Sequence, residues 1–65
     1  MKVCYDAETD SLTISLREAE IRESDELRPG VIIDFGNDGQ IVRLEILDAS
    51  KIVQNAREMQ FIVGE

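Results

Sequence analysis

Acidic side chains are the groups in this sequence best suited to chemistry. Fourteen of the 65 residues are Asp or Glu, whereas the sequence has no His and a single Cys, Cys4. Without His, Ser/His/Asp and Cys/His nucleophile arrangements are absent, and zinc sites of the Cys/His type are not available. Carboxylate pairs can act as general acid and base, but so many acids in so short a chain produce close pairs by chance. We therefore predict a protein that is not an enzyme, with no catalytic residues, no metal ligands and no cofactor.

Residues 34–45 resemble a twelve-residue EF-hand calcium-binding loop. Asp34, Asp38 and Glu45 stand at ligand positions one, five and twelve of that pattern, and a glycine stands at its invariant glycine position. Position three is Gly36, which offers no ligand side chain. An EF-hand also needs an entering helix, whereas the residues before this segment are β-branched and follow a proline–glycine breaker. The sequence therefore favours a hairpin over a calcium site.

A β-hairpin over residues 30–47 is the clearest structural prediction. Two runs of alternating apolar residues flank a turn-rich tetrapeptide at 36–39, a strong hairpin signal. An even-numbered loop places six alternate apolar side chains on one face of the sheet, because the side-chain period of a strand is two residues. Asp34 and Glu45 are then expected to share the opposite face and to point to solvent. The six residues are Val31, Ile33, Phe35, Val42, Leu44 and Ile46.

A second hairpin is predicted over residues 2–16. Pairing Tyr5 with Leu12 keeps the apolar residues of both strands on one face across the acidic loop at 6–10. The same register pairs Val3 with Ile14. In the first of these strands, Cys4 is expected to be a small packing or surface residue rather than a nucleophile.

Residues 17–28 are highly charged and contain two large apolar residues, Ile21 and Leu27. Because they show no apolar stripe at helical spacing, we expect an irregular connection with a short edge strand around 21–24. The charges of such an edge would discourage pairing with other molecules.

The C-terminal part of the chain carries a helical pattern. Asp48 is placed to cap a helix over about 49–60, because its side chain can accept from the free N–H groups of the first turn. The residues at helical spacing in that helix are Ile52, Val53, Ala56 and Met59. Residues 61–65 can extend the helix, form a small strand or remain a tail. The predicted fold class is α+β, a small antiparallel β-sheet of hairpins with about four strands and one C-terminal helix packed on one face, in a single domain over 1–65.

Charge and hydropathy limit the cellular locations and the classes of binding partner that we expect for this chain. Seven basic and fourteen acidic residues give a net charge of −7, which argues against nucleic-acid binding through a basic face. No signal peptide is visible, and no apolar run approaches the ~20 residues that span a bilayer. We therefore expect a cytoplasmic protein with no membrane partner. The acidity itself indicates either plain solubility or a basic protein partner.

Five segments of the chain resemble DUF2283, a family of small prokaryotic domains of unknown function. The resemblance covers about the first fifty residues and implies a compact antiparallel sheet with a helix and no established catalytic activity. Members often look like one half of a two-gene unit whose other half resembles a small ribonuclease-type toxin. This resemblance implies no site residues. The segments are Tyr5-Asp6, Asp10-Ser11-Leu12, Glu23-Ser24, Pro29-Gly30-Val31-Ile32-Ile33-Asp34 and Glu45-Ile46-Leu47-Asp48-Ala49-Ser50.

Three functions remain open at this point. One is a small acidic interaction domain, in particular an antitoxin-like partner of a basic ribonuclease-type toxin. The second is a self-associating structural domain without a dedicated partner. The third, an enzyme or metal-binding protein, is the least favoured because the sequence has no His and its carboxylate signals are weak. We also expect a homodimer, because Ile32, Ile41 and Leu47 are expected to project from the face that the predicted helix leaves open.

Overall fold

Five antiparallel strands form one sheet in the computed structural model, which describes residues 1–53. The strands are β1 (Lys2–Asp6), β2 (Ser11–Ser15), β3 (Ile21–Arg28), β4 (Val31–Gly36) and β5 (Ile41–Ile46). Their order across the sheet is β1-β2-β5-β4-β3, so β1 and β3 are the two edges. The connection from β2 to β3 therefore passes the ends of β5 and β4, and every other connection between strands is a hairpin.

The predicted registers are largely confirmed. Tyr5 pairs with Leu12 and Val3 pairs with Ile14 in the first hairpin, as the alternation of apolar residues predicts. In the central hairpin Val31 pairs with Ile46, and Ile33 pairs with Leu44. Because paired residues in an antiparallel ladder project to the same face, these pairs build one apolar side of the sheet.

The third predicted pair of the central hairpin is wrong, because a β-bulge changes the register. Phe35 pairs with Ile41 instead of Val42, because the register shifts between Asp34 and Phe35. Val42 is the extra residue of the bulge and is buried. It packs closely on Gly36, since a Cβ atom built at Gly36 would lie 3.1 Å from a methyl group of Val42. Ile41 therefore lies on the face of Phe35, and the apolar patch that the sequence indicated on the opposite face loses this residue.

The two faces of the sheet differ in chemistry. We call the apolar face the side that carries Val3, Tyr5, Leu12, Ile14, Val31, Ile33, Phe35, Ile41, Leu44 and Ile46. We call the polar face the side that carries Lys2, Cys4, Asp6, Thr13, Ser15, Ser24, Glu26, Ile32, Asp34, Arg43 and Glu45. Most side chains of the apolar face are half-buried, and Leu12 is fully buried.

The α+β fold class with a packed C-terminal helix is wrong. Within residues 1–53 the structure is an antiparallel sheet of five strands, followed by a single 3₁₀ turn, Ala49–Lys51. Asp48 precedes that turn in the left-handed conformation, with φ 51°, and its side chain makes no capping hydrogen bond. A left-handed residue turns the chain instead of starting an α-helix, which explains the error. The remainder of the predicted helix and the tail at 61–65 lie outside the described residues.

The predicted edge strand is confirmed but is longer than expected. β3 has eight residues instead of about four, and seven of the eight are exposed. With β3 included, the sheet has five strands instead of about four. The pairing of β3 with β4 is irregular at two places, between Ile21 and Glu23 and between Glu26 and Arg28. Bulges and charges of this kind protect an edge from pairing with other chains. No helix within residues 1–53 is long and apolar enough to cross a membrane.

Candidate functional site

A buried carboxylate, Asp34, lies at the centre of the polar face. β4 places it between two other strands, opposite Ser24 of β3 and opposite Arg43 of β5. Only 1% of Asp34 is exposed, although it lies on a face that the sequence indicated as solvent-facing. The expectation that Asp34 points to solvent is therefore wrong, whereas its placement on one face with Glu45 is confirmed.

Both oxygens of this carboxylate have protein partners. The hydroxyl of Ser24 donates to Oδ1 of Asp34, and Nε of Arg43 donates to Oδ2 over 2.8 Å. Nη2 of the same guanidinium lies 3.7 Å from an oxygen of Glu45. Buried charges are tolerated when they are paired and hydrogen-bonded in this way. The cluster joins the side chains of three neighbouring strands.

The pKa values of Asp34 and Glu45 are shifted in opposite directions. Burial acts to raise the pKa of Asp34, but hydrogen bonds with Glu45, Ser24 and Arg43 outweigh it and hold that pKa below its usual value. The hydrogen bond with Asp34, together with burial, raises the pKa of Glu45. Glu45 therefore takes up a proton at a higher pH than Asp34 does.

The geometry of this cluster indicates a structural role. Asp34 has almost no exposed surface with which to touch a substrate, and its hydrogen bonds hold the edge strand β3 onto the sheet. Within residues 1–53, no group of three or more acidic or Cys side chains is arranged to hold a metal ion. The EF-hand spacing has no corresponding geometry, because Asp38 lies in the turn and pairs with Arg17 at 2.7 Å.

A second carboxylate, Asp10, fastens the turn after β5 to the first hairpin. Its Oδ1 accepts from the hydroxyl of Tyr5 over 2.7 Å and from the backbone N–H of Ser50 over 3.0 Å. Its Oδ2 accepts from the hydroxyl of Ser50 over 2.6 Å. Its backbone carbonyl accepts from Ala49, a fully buried residue. The bonds from Ser50 and Tyr5 lower the pKa of Asp10.

Comparison with known proteins identifies the family of this chain. The model of the family described as "Protein of unknown function (DUF2283)" matches residues 2–50, which include both carboxylates and their partners. The chain belongs to the DUF2283 family.

A curated relative of this DUF2283 chain comes from Methanosarcina mazei and is named "Putative hypoxanthine phosphoribosyltransferase". The two are 42% identical over 57 residues, which is 88% of this chain and 46% of the relative. The chain thus spans about half the length of that protein. No solved structure matches the DUF2283 chain.

A third feature of the DUF2283 chain is an acidic border along its apolar face. Glu23 pairs with Phe35, and Asp25 pairs with Ile33, so both carboxylates project to the apolar side of the sheet. Both are exposed, whereas their partners are half-buried. The border lies at the edge of the sheet, where these carboxylates remain solvated beside apolar surface.

The sequence analysis identified neither the hydrogen-bond partners of Asp34 and Asp10 nor the acidic border, although part of the signal was present. Asp34 and Arg43 are an acid and a base at matched positions of a strongly predicted hairpin, which is a recognisable cross-strand pair. The contribution of Ser24 required the register of β3, and the contribution of Ser50 required the position of the final turn. Neither follows from local periodicity, because both depend on contacts between distant parts of the chain.

Proposed function

We propose that this DUF2283 domain is a cytoplasmic, non-enzymatic protein-interaction domain whose apolar face binds a basic protein. The observation that carries the proposal is the pairing of Glu23 and Asp25 with Phe35 and Ile33 at the border of that face. An apolar patch with a charged border is typical of surfaces that bind other proteins.

The apolar centre of this surface would supply most of the binding energy. Phe35, Ile33, Leu44 and Ile46 are half-buried, and Ile41 is 38% exposed, so each has surface left to bury. Burying apolar surface contributes roughly 25 cal/mol per Å². Exposed ion pairs contribute only about 0–1 kcal/mol each, so the acids alone would not hold a partner.

The acidic border would select the partner by charge. The chain has a net charge of −7, and β3 presents Glu23 and Asp25 at an exposed edge beside the apolar face. Complementary charge speeds association and excludes partners of the wrong sign. A basic surface that normally holds RNA phosphates fits this border.

A small ribonuclease-type toxin is the partner that best combines these requirements, with the DUF2283 domain as its antitoxin. The acids would occupy the cationic groove of the toxin, and the apolar face would bury the anchoring contacts. The resemblance to members of two-gene units supports this partner. The alternative is a self-associating structural domain in which a second copy covers the apolar face.

Co-expression with the product of the neighbouring gene tests the proposal. We expect that product to bind the DUF2283 domain in a pull-down and to lose toxicity in its presence. A double reversal, Glu23→Lys with Asp25→Lys, should weaken the complex by about tenfold or more at low salt, since it replaces attraction by repulsion at the border.

The matched control carries the same charge change elsewhere. Glu8→Lys with Glu18→Lys alters two exposed acids outside the apolar border and should leave the complex within about twofold of the wild type. A neighbouring product that neither binds nor loses toxicity would overturn the antitoxin proposal. Equal weakening by both double variants would reject the border as the binding site.

A further inference from the structure

The two edges of the sheet are protected to different extents. β3 is long, mostly charged and irregular in its pairing. β1 pairs with β2 without any register shift, and its central residues, Val3-Cys4-Tyr5, carry no charge. Edges that stay single are usually blunted by bulges or central charges. β1 lacks both devices, so its outer side is a template for another strand.

The sequence of β1 is complementary to itself when it is read in the opposite direction. Around Cys4 as the centre, a basic residue, Lys2, stands two positions before and an acidic residue, Asp6, stands two positions after. Val3 and Tyr5 occupy the positions between. An antiparallel pair centred on Cys4 therefore places each Lys2 opposite the Asp6 of the second copy, and each Val3 opposite a Tyr5.

We infer that β1 pairs with β1 of a second copy of this chain, in an antiparallel register centred on Cys4, to form a continuous sheet of ten strands. The two-fold axis of this dimer passes through the sheet beside Cys4. Such an interface is isologous, the form that closes at two subunits and does not extend into fibres.

The faces of the two sheets agree in this arrangement. Lys2, Cys4 and Asp6 project to the polar face, and Val3 and Tyr5 project to the apolar face. Because opposed residues in an antiparallel pair project to the same side, the apolar faces of the two copies become continuous. The charged pairs lie together on the other side.

Among the residues that the structure describes, no ion pair occupies the charged groups that would make these contacts. Lys2 is exposed and has no ion pair among the described residues. Asp6 is exposed and accepts one N–H, from Glu8 over 3.0 Å, at Oδ1, which leaves Oδ2 available. A shift of one position to a centre on Tyr5 places Cys4 opposite Asp6, and places Lys2 opposite Glu8, which lies in the turn beyond the end of β1, so no charge pair remains within the paired strands. The two charge pairs therefore fix the register, and the backbone hydrogen bonds add affinity.

A charge-swap experiment on the isolated protein tests the inference, independently of any other partner. Wild-type protein should be dimeric at micromolar concentration in analytical ultracentrifugation. Lys2→Glu alone and Asp6→Lys alone should each weaken the dimer by about tenfold or more, because each creates two like-charge pairs across the interface. An equimolar mixture of the two variants should restore a dimer that contains one copy of each, as measured by native mass spectrometry.

The mixture separates the inference from a simple loss of folding. Two misfolded variants would not restore a mixed dimer. A wild-type protein that stays monomeric at high micromolar concentration would overturn the inference. Variants that dimerise as tightly as the wild type, or a mixture that forms no mixed dimer, would also overturn it.

Thiol cross-linking gives a second, independent measurement. Opposed residues in an antiparallel pair have Cα atoms about 4.5–5.5 Å apart, within the range that a disulfide spans. Cys4 is exposed, so oxidation with diamide should join two copies, each thiol losing one proton and one electron to the reagent. The control, Cys4→Ser with Glu23→Cys, carries its exposed thiol on β3 and should form no comparable covalent dimer. Equal cross-linking of both proteins would contradict the β1 interface.

Discussion

Arg43 donates its Nε–H to Asp34 over 2.8 Å across the central hairpin, and the carboxylate that it pairs with is 1% exposed. The side chain of Arg43 is 38% exposed, so the charge pair is buried at one end and partly solvated at the other. Because Ser24 binds the second oxygen of the carboxylate, the pair extends to β3. The stability of the edge strand that carries the acidic border therefore depends on Asp34.

Asp34→Asn should destabilise the domain by about 1–3 kcal/mol, the usual range for a buried polar group that loses charged partners. The amide cannot accept from Ser24 and Arg43 with both of its heavy atoms. Urea unfolding followed by circular dichroism measures the change in the free energy of unfolding. The control is Asp38→Asn, which breaks the exposed pair with Arg17 and should cost much less stability, because solvent and salt screen an exposed pair. Equal losses in the two variants would contradict the importance of burial.

Asp10→Asn should lower the midpoint of thermal unfolding, because the carboxylate accepts from Tyr5 and twice from Ser50. Asp48→Asn is a close control, since both aspartates have left-handed backbones, with φ 53° and 51°. Asn tolerates that conformation, and Asp48 makes no capping bond. The control should therefore stay within about 0.5 kcal/mol of the wild type. Thermal unfolding of both variants checks the difference.

The domain should lose stability in acid. Asp34, Asp10 and Asp38 have folded-state pKa values below their ordinary values. A lowered pKa gives stability that is present above the unfolded pKa, about 3.9, and is lost as the pH falls through the folded pKa. The free energy of unfolding should therefore drop steadily below about pH 4. A free energy that stays constant down to pH 2 would contradict these three shifts.

Glu45 should act in the opposite sense. Its raised pKa means that the folded state binds the proton more tightly than the unfolded state, so stability falls as the pH rises from about 4.3 through the folded pKa. Glu45→Gln mimics the protonated form and should remove this decline while it leaves the acid-side loss in place. Unfolding curves measured from pH 4 to pH 7 on both proteins detect the difference. An unchanged profile in the variant would show that Glu45 is not the group responsible.

The strands were predictable where apolar residues alternate, whereas the α-helix predicted to begin after Asp48 was wrong. Tyr5 with Leu12 and Ile33 with Leu44 follow from side-chain alternation alone, because a one-residue slip would expose the apolar side chains. The bulge at Val42 and the left-handed backbone at Asp48 interrupt that simple count, and local patterns do not reveal either. The buried network of Asp34 depends on the register of β3, whose charged sequence carries no periodic signal.

The apolar face of the sheet, with its acidic border, is the surface that we propose binds a basic protein. Ile32 and Ile33 offer an internal comparison, because they are neighbours on β4 and project to opposite faces. NMR spectra of protein labelled at the Ile methyl groups, titrated with the unlabelled product of the neighbouring gene, measure which face is contacted. We expect the signals of Ile33 and Ile46 to shift while that of Ile32 stays in place. Shifts confined to Ile32, or no shift in any of these signals, would contradict it.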